Sequence, residues 1–444
     1  MRPRALSLLL ALVGSACGGE ESDGLPPPDN CVPPNRRLAD RCLEPGVQDD
    51  GCPAGALGLE DGTCQPAGVP PELCGDGFVP DDAMGCEPIL PSEPCPKGQM
   101  AVPGESTCRA VMPCGAGKWG DIPIDATTVY VDAAYLGLDS DGSSDKPFAT
   151  ISDAVAAAAS DSVIAVAAGS YVEDVVIHHK KVRLWGKCPS EVELVGTGTD
   201  LAALFIREAA GGTEVRGLAV RGALLGLVVS GAEDVLIERV WVHDTLDRGI
   251  NVESVLGATS ITVRDSLVEE TQDAGVLVAG SEATLEGLLV RRTLPWSSAQ
   301  LFGRGISIEL ACPNGVCDAA AGAQVLVRDS LVEENHDVGV SIMGSDATLD
   351  GVVIRGTQPR ASDQRQGWGI AVQLACTAAG CDPLARSTAL VRSSLVEKNH
   401  DLGVLIAASD ATFEGVVVRG TLPNAKDQNF GRGAKRCRRS APAA

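Results

Sequence analysis

Aromatic residues are scarce in this chain, at 3% of the total. A β-propeller with a blade-sized repeat would carry aromatic and Asp-Gly hairpin signatures, and these are missing. Positive charge is also in short supply. The 36 Lys and Arg stand against 59 Asp and Glu, a formal net charge of −23. That balance argues against nucleic acid as a partner. No Cys-x-x-Cys pair occurs, and none of the five His lies among the clustered cysteines, so the common zinc frameworks are excluded. No nucleophile elbow, phosphate loop or zinc-protease motif appears. The N-terminal apolar run, Ala5–Val13, is too short to cross a bilayer.

What the chain does contain is a repeat. Asp265-Ser-Leu-Val-Glu-Glu returns at Asp329 and again, slightly changed, at Ser393, each time 64 residues on. Ala283-Thr-Leu-Glu-Gly likewise returns at Ala347 and Ala411. A fixed period of this kind reads as a stacked array. Each half of the unit holds short alternating runs rich in Val and Ile, such as Val338-Gly-Val-Ser-Ile, which predict strands. Each half is therefore expected to form one coil of about three short strands. Stacking would align Val268, Val332 and Val396 in one interior column and Val276, Val340 and Val404 in another. The predicted fold is all-β: a right-handed parallel β-helix with a short N-terminal capping helix, preceded by a Cys-rich, disulfide-stapled segment.

Residues 1–16 read as a secretory signal, with Arg2 and Arg4 ahead of the apolar run. Gly14-Ser-Ala-Cys17 resembles the lipobox of bacterial lipoproteins, which makes Cys17 the expected lipidation site and 17–30 the tether. Membrane contact is expected through that anchor alone. Residues 31–118 hold nine cysteines and most of the chain's prolines, and predict disulfides in an oxidising compartment, forming a stalk or small module. Nine is odd, so one partner lies outside, and Cys188 is the nearest. Residues 119–196 form the cap and first coils, with a short helix carrying Ile151, Val155 and Ala158, and 197–431 form the remaining coils. The repeat breaks after Gly433. Residues 432–444 make a basic tail, read either as a functional arm or as a shifted or truncated frame that leaves the last coil incomplete.

The stretch from Asp139-Ser-Asp-Gly-Ser-Ser-Asp-Lys-Pro-Phe-Ala-Thr-Ile through Ala168-Gly-Ser-Tyr resembles the N-terminal cap of right-handed β-helix proteins of the pectin-lyase-like superfamily. With the lipobox and Cys-rich segment ahead of it, the whole is similar to secreted β-helix lipoproteins of myxobacterial type. The resemblance implies fold over about residues 128–431, and an outer-membrane or cell-surface location. It leaves function open, because one fold hosts many activities.

Candidate chemistry lies in four places. Asp247, Asp273, Asp337 and Asp401 each precede a glycine by two at a coil corner, with His336 and His400 beside the last two. Their recurrence marks turn residues, whereas a catalytic set would occur once. Two insertions leave alternate coils at one corner and gather Trp296, Phe302, Arg304, Arg360, Arg365 and Trp368, which suit a carbohydrate or acidic polymer. They are expected two coils apart, roughly 10 Å. Cys312 with Cys317, and Cys376 with Cys381, are expected to close local loops. Asp139, Asp141 and Asp145 offer oxygens that a hard cation such as calcium could use, and no other cofactor is implied. The reading that follows is a surface lipoprotein without a catalytic residue, binding a polysaccharide or surface partner or serving as structure. A polysaccharide lyase or hydrolase acting on acidic glycans is the alternative.

Overall fold

The computed structural model describes residues 68–437 apart from 82–84, 223, 313–316, 378–379, 382–383 and 427–430, together with the backbone of four short strands between 36 and 66. The signal, Cys17, the whole tether and most of the early Cys-rich stretch lie outside the described residues. Three parallel sheets of 11, 10 and 10 strands run the length of the molecule, and strand order within each follows the chain. Each coil gives one strand to each sheet in turn. This is the right-handed parallel β-helix expected from the repeat.

The strand Gln324–Arg328 shows why the coils form. Val325 and Val327 point inward and are buried, while Gln324 and Arg328 are exposed. Stacked coils align such residues. One interior column of the second sheet reads Val268, Val290, Val332, Ile354, Val396 and Val418. Another, in the third sheet, reads Val276, Ile306, Val340, Ile370 and Val404. β-Branched side chains suit this packing because their stiff χ1 fits a pleated surface.

The 64-residue unit holds two coils, and its outward charges explain why one coil is too short a period. On the first sheet the register aligns Arg264, Glu286, Arg328, Asp350, Arg392 and Glu414. On the second it aligns Glu269, Arg291, Glu333, Arg355, Glu397 and Arg419. A one-coil repeat would stack each charge on its like at about 4.8 Å. Alternation over two coils instead gives ion pairs such as Arg328–Glu286 at 2.8 Å and Arg355–Glu333 at 2.8 Å.

Helix α1, Ile151–Ala157, closes the N-terminal end. Thr150 caps it by accepting from the Asp153 N–H, and Glu173 accepts from the Ile151 and Ser152 N–H groups. Ile151, Ala154, Val155 and Ala158 join the core of the first coils.

Of the Cys-rich segment, the described part from 68 on lies against the solenoid. Residues 69–114 fold back as a strap along the second sheet, from the last coils to the first. Arg419 pairs with Asp81 and Glu87 at the C-terminal end, and Arg291 reaches Cys95 and Pro96 midway. Cys114 is joined to Cys188, the partner expected from the odd cysteine count, and Cys74–Cys86 and Cys95–Cys108 staple the strap itself. Its few apolar residues, Val69, Phe78, Met100, Val102 and Val111, pack on Leu267, Leu289, Leu331, Val353 and Leu395. The strap seats there because each second-sheet strand carries an apolar doublet, as in Leu331-Val332, and so needs cover on both faces.

The basic tail also departs from expectation. Arg432–Cys437 adds a parallel strand to the third sheet, in register with Leu402–Ala407. Ladder hydrogen bonds use backbone alone, so the strand forms although the repeat's side chains are gone.

Candidate functional site

The outer faces of the three sheets differ. The second is covered by the strap. On the third, outward residues such as Asn251, Ser307, Ser341 and Ala371 are buried. Among the described residues the first is covered at its start alone, where Trp119 and Ile122 pack on Tyr130, Ala165 and Trp185. Beyond that cover the face opens into a groove of about 700 Å³ running from Asp234 to Leu390.

Three outward columns shape the groove. Its floor is Thr262, Thr284, Leu326, Thr348 and Leu390, all half-buried. One flank carries Asp234, Ser260, Glu282, Gln324, Asp346 and Thr388. The far rim is the alternating ladder from Arg264 to Glu414. Two long loops stand along the flank where Gln324 and Thr388 begin their strands. Leu310, Ala375 and Ala385 share a small core there with Cys312, Cys317, Ala319 and Ala321, so loops 310–323 and 374–387 form one ridge. Cys312–Cys317 is a disulfide. Cys376 and Cys381 face each other as register partners in a two-stranded hairpin, and their side chains lie outside the described residues.

Charge is distributed unevenly over this face. The ladder acids Glu238, Glu286 and Asp350 each meet an arginine, at 3.1, 2.8 and 2.9 Å. Among the described residues no cation pairs with Asp234, Glu282 or Asp346, and all three are exposed. The groove therefore holds uncompensated carboxylates, hydroxyls that donate and accept, one amide and two apolar side chains. Lys and Arg are absent from its lining. The same residue types recur from coil to coil, and among the described residues lining the groove no single acid–base or nucleophile–base set stands apart from the repeat.

The insertion-loop residues form no comparable site. The two loops touch directly, with the Ser362 N–H donating to Gln300 O at 2.9 Å, so they bend toward each other across the expected gap. Trp296 and Arg360 occupy equivalent seats: the carbonyl of each accepts the N–H of the residue four on, and its own N–H donates to the carbonyl five on, which closes its own loop. Arg360 is buried and holds Asp363 at 2.7 Å, which keeps the Asp363 carboxyl below its ordinary range. Arg304 lies over the Phe302 ring and donates to Ser307 and Glu309. Trp368 gives its indole N–H to Asp401 at 2.9 Å. Arg365 alone among the six is exposed.

The corner residues are structural. Asp273, Asp337 and Asp401 take positive φ, from 58° to 62°, and their carbonyls accept the N–H groups that start the next coil's strand, whereas Asp247 keeps negative φ. Asn335 and Asn399 lie inside, each bridging two backbone groups of the preceding coil, as in Thr293 N–H to Asn335 at 2.9 Å. His336 and His400 turn Nδ1 to the carbonyls of Thr293 and Thr357 at 3.0 and 2.9 Å. The three expected cation ligands do not gather. Asp139 is held by Lys146, its main cause of a lowered pKa, and by Tyr135, while Asp141 caps the Ser143 N–H. Among the described residues no carboxylate set forms a metal cage.

No family model matches this chain, and no curated protein does. Solved structures of similar outline include an alginate lyase from Paenibacillus sp. strain FPU-7, at 14% identity and TM-score 0.42 over 62% of this chain and 95% of that one. A pectate lyase matches at 12% and 0.40, over 71% and 81%, and a rhamnogalacturonan lyase at 13% and 0.40, over 65% and 73%. Identities this low concern the outline of the solenoid alone. The groove is read from its own residues.

Proposed function

We propose that this chain is an exported, surface-displayed glycan-binding scaffold, with an extended polysaccharide lying along the first-sheet groove. One observation carries the reading: among the described residues the first sheet's outer face is open beyond its start, with a floor of three threonines and two leucines and, beside it, acids that no arginine neutralises. Hydroxyl-rich, shallow and repetitive, such a floor suits a polyhydroxylated chain with repeating contacts. Disulfides in the strap and the loops support an oxidising, extracellular location. The signal segment and Cys17 would supply export and a lipid anchor. Calcium would have to come with a ligand, since Asp139, Asp141 and Asp145 stand apart.

A hydrolase reading keeps one supporting feature. Glu282 and Asp346 stand two coils apart, about 9.6 Å along the axis, near the roughly 6.5–9.5 Å that separates the carboxyls of inverting glycosidases. Asp234 and Glu282 repeat the same spacing, which favours a ladder of contacts over a singular catalytic pair.

The test is retention of the exported chain on immobilised polysaccharides, with reducing ends assayed in parallel. Thr284→Trp with Thr348→Trp would fill the floor, and retention should fall to background. Undiminished retention by that variant would move the site off the groove. Release of reducing ends without unsaturated products, lost in Glu282→Gln, would establish hydrolysis.

A further inference from the structure

We infer that the groove selects a cationic glycan: a β-1,4-linked polymer of hexosamines with free amino groups. This rests on the groove reading above and adds the ligand's charge and linkage.

Three features of the cavity converge on that class. The first is sign. Among the described residues Asp234, Glu282 and Asp346 face the groove without a cation, while of the rim arginines Arg328 and Arg392 are bound to Glu286 and Asp350 and Arg264 stands exposed at one end, beside Thr262. The three flank carboxylates outnumber that one guanidinium, so a carboxylated glycan would meet net repulsion there, on a chain of net charge −23. The second is period. Register places Ser260 between Asp234 and Glu282, and Gln324 between Glu282 and Asp346. The acids therefore recur every second coil, about 9.6 Å. In an extended β-1,4-linked chain alternate sugars face the same way, so one edge repeats each disaccharide at closely this length. An amino group on alternate sugars would meet a carboxylate each time, and the sugars between would face Ser260, Gln324 and Thr388. The third is the floor, where threonine hydroxyls serve ring and hydroxymethyl oxygens, and Leu326 and Leu390 lie under the apolar ring faces.

The experiment compares chitosan oligomers, their fully N-acetylated counterparts and oligogalacturonate on the full exported chain, by calorimetry across a salt series. Chitosan oligomers should bind, weaken as salt rises, and lose about tenfold in affinity in a Glu282→Gln/Asp346→Asn double variant, as two partly exposed charge contacts would give. Among the described residues neither carboxylate has a partner, so the variant should melt with wild type. Equal binding of free-amine and acetylated oligomers, blocked by Thr284→Trp/Thr348→Trp, would overturn the charge inference and leave the groove reading standing. Tighter binding of oligogalacturonate would overturn the inference as well. Binding of any of them that ignores the tryptophan variant would remove the groove reading itself.

Discussion

The first and second sheets are built from the same coils, carry the same kind of charge ladder, and end with opposite fates. The second carries an outward column of Leu267, Leu289, Leu331, Val353 and Leu395, and a strap covers it. The first carries Thr262, Thr284, Leu326, Thr348 and Leu390 at the matching place, and among the described residues nothing covers them. The cover also changes what a ladder is worth. Arg291 and Glu269 are wholly buried, and the guanidinium donates to the carbonyls of Cys95 and Pro96 as well as to the carboxylate. Glu269 in turn accepts from the Gly98 N–H and the Trp241 indole. Arg328 on the first sheet makes one half-exposed pair. The same residue pair is thus a lock under the strap and a surface ornament beside the groove, and burial alone makes the difference.

The largest effect should come from breaking that lock. Arg291→Ala empties a wholly buried seat and takes the donor from the Cys95 and Pro96 carbonyls, while Glu269 keeps Arg292; it should cost about 3 kcal/mol in denaturant unfolding, with faster proteolysis between 69 and 114. An intact, protease-resistant strap in that variant would show that the ion pair does not hold it. Leu331→Ala, under the strap, should cost about 2–3 kcal/mol, while Thr348→Ala on the open face should stay within about 0.5 kcal/mol. Equal costs would erase the contrast between the faces. Arg328→Glu sets three acids in a row on the open ladder, and exposure should hold the loss to about 1 kcal/mol or less, recovered by salt.

The smallest effect concerns the corner between these two sheets and the third. Burial holds His336 below the ordinary imidazole value, with Nδ1 on the Thr293 carbonyl. The unfolded chain takes up that proton first. Its share of stability is therefore present above about pH 6.5 and lost as pH falls from there. His336→Gln should flatten that part of the pH–stability curve, and an unchanged slope would assign it to other groups.

Much of this was legible in the chain. The period revealed the coils, the interior valine columns and the corner Asp ladder, because those depend on contacts between neighbouring repeats. The strap was not expected, since it joins residues about 200 positions apart, yet it left a trace: Leu267-Val268 and Leu331-Val332 are doublets, and a strand open on one face would alternate. The groove was missed for a related reason. Its floor comes from matching threonines across coils of unequal length, and attention fell on Trp296, Arg360 and Trp368, whose rarity marked loops that anchor themselves. The strand Arg432–Cys437 was not foreseen from its side chains, because a strand edge asks only for backbone.

Hydrogen exchange with and without chitosan oligomers tests the central claim most directly. The account predicts slowed exchange confined to the strands Glu282–Glu286, Gln324–Arg328 and Asp346–Asp350 and the ridge beside them. Protection centred on loops 292–303 and 356–367, or along the strap, with the first sheet unchanged, would contradict it.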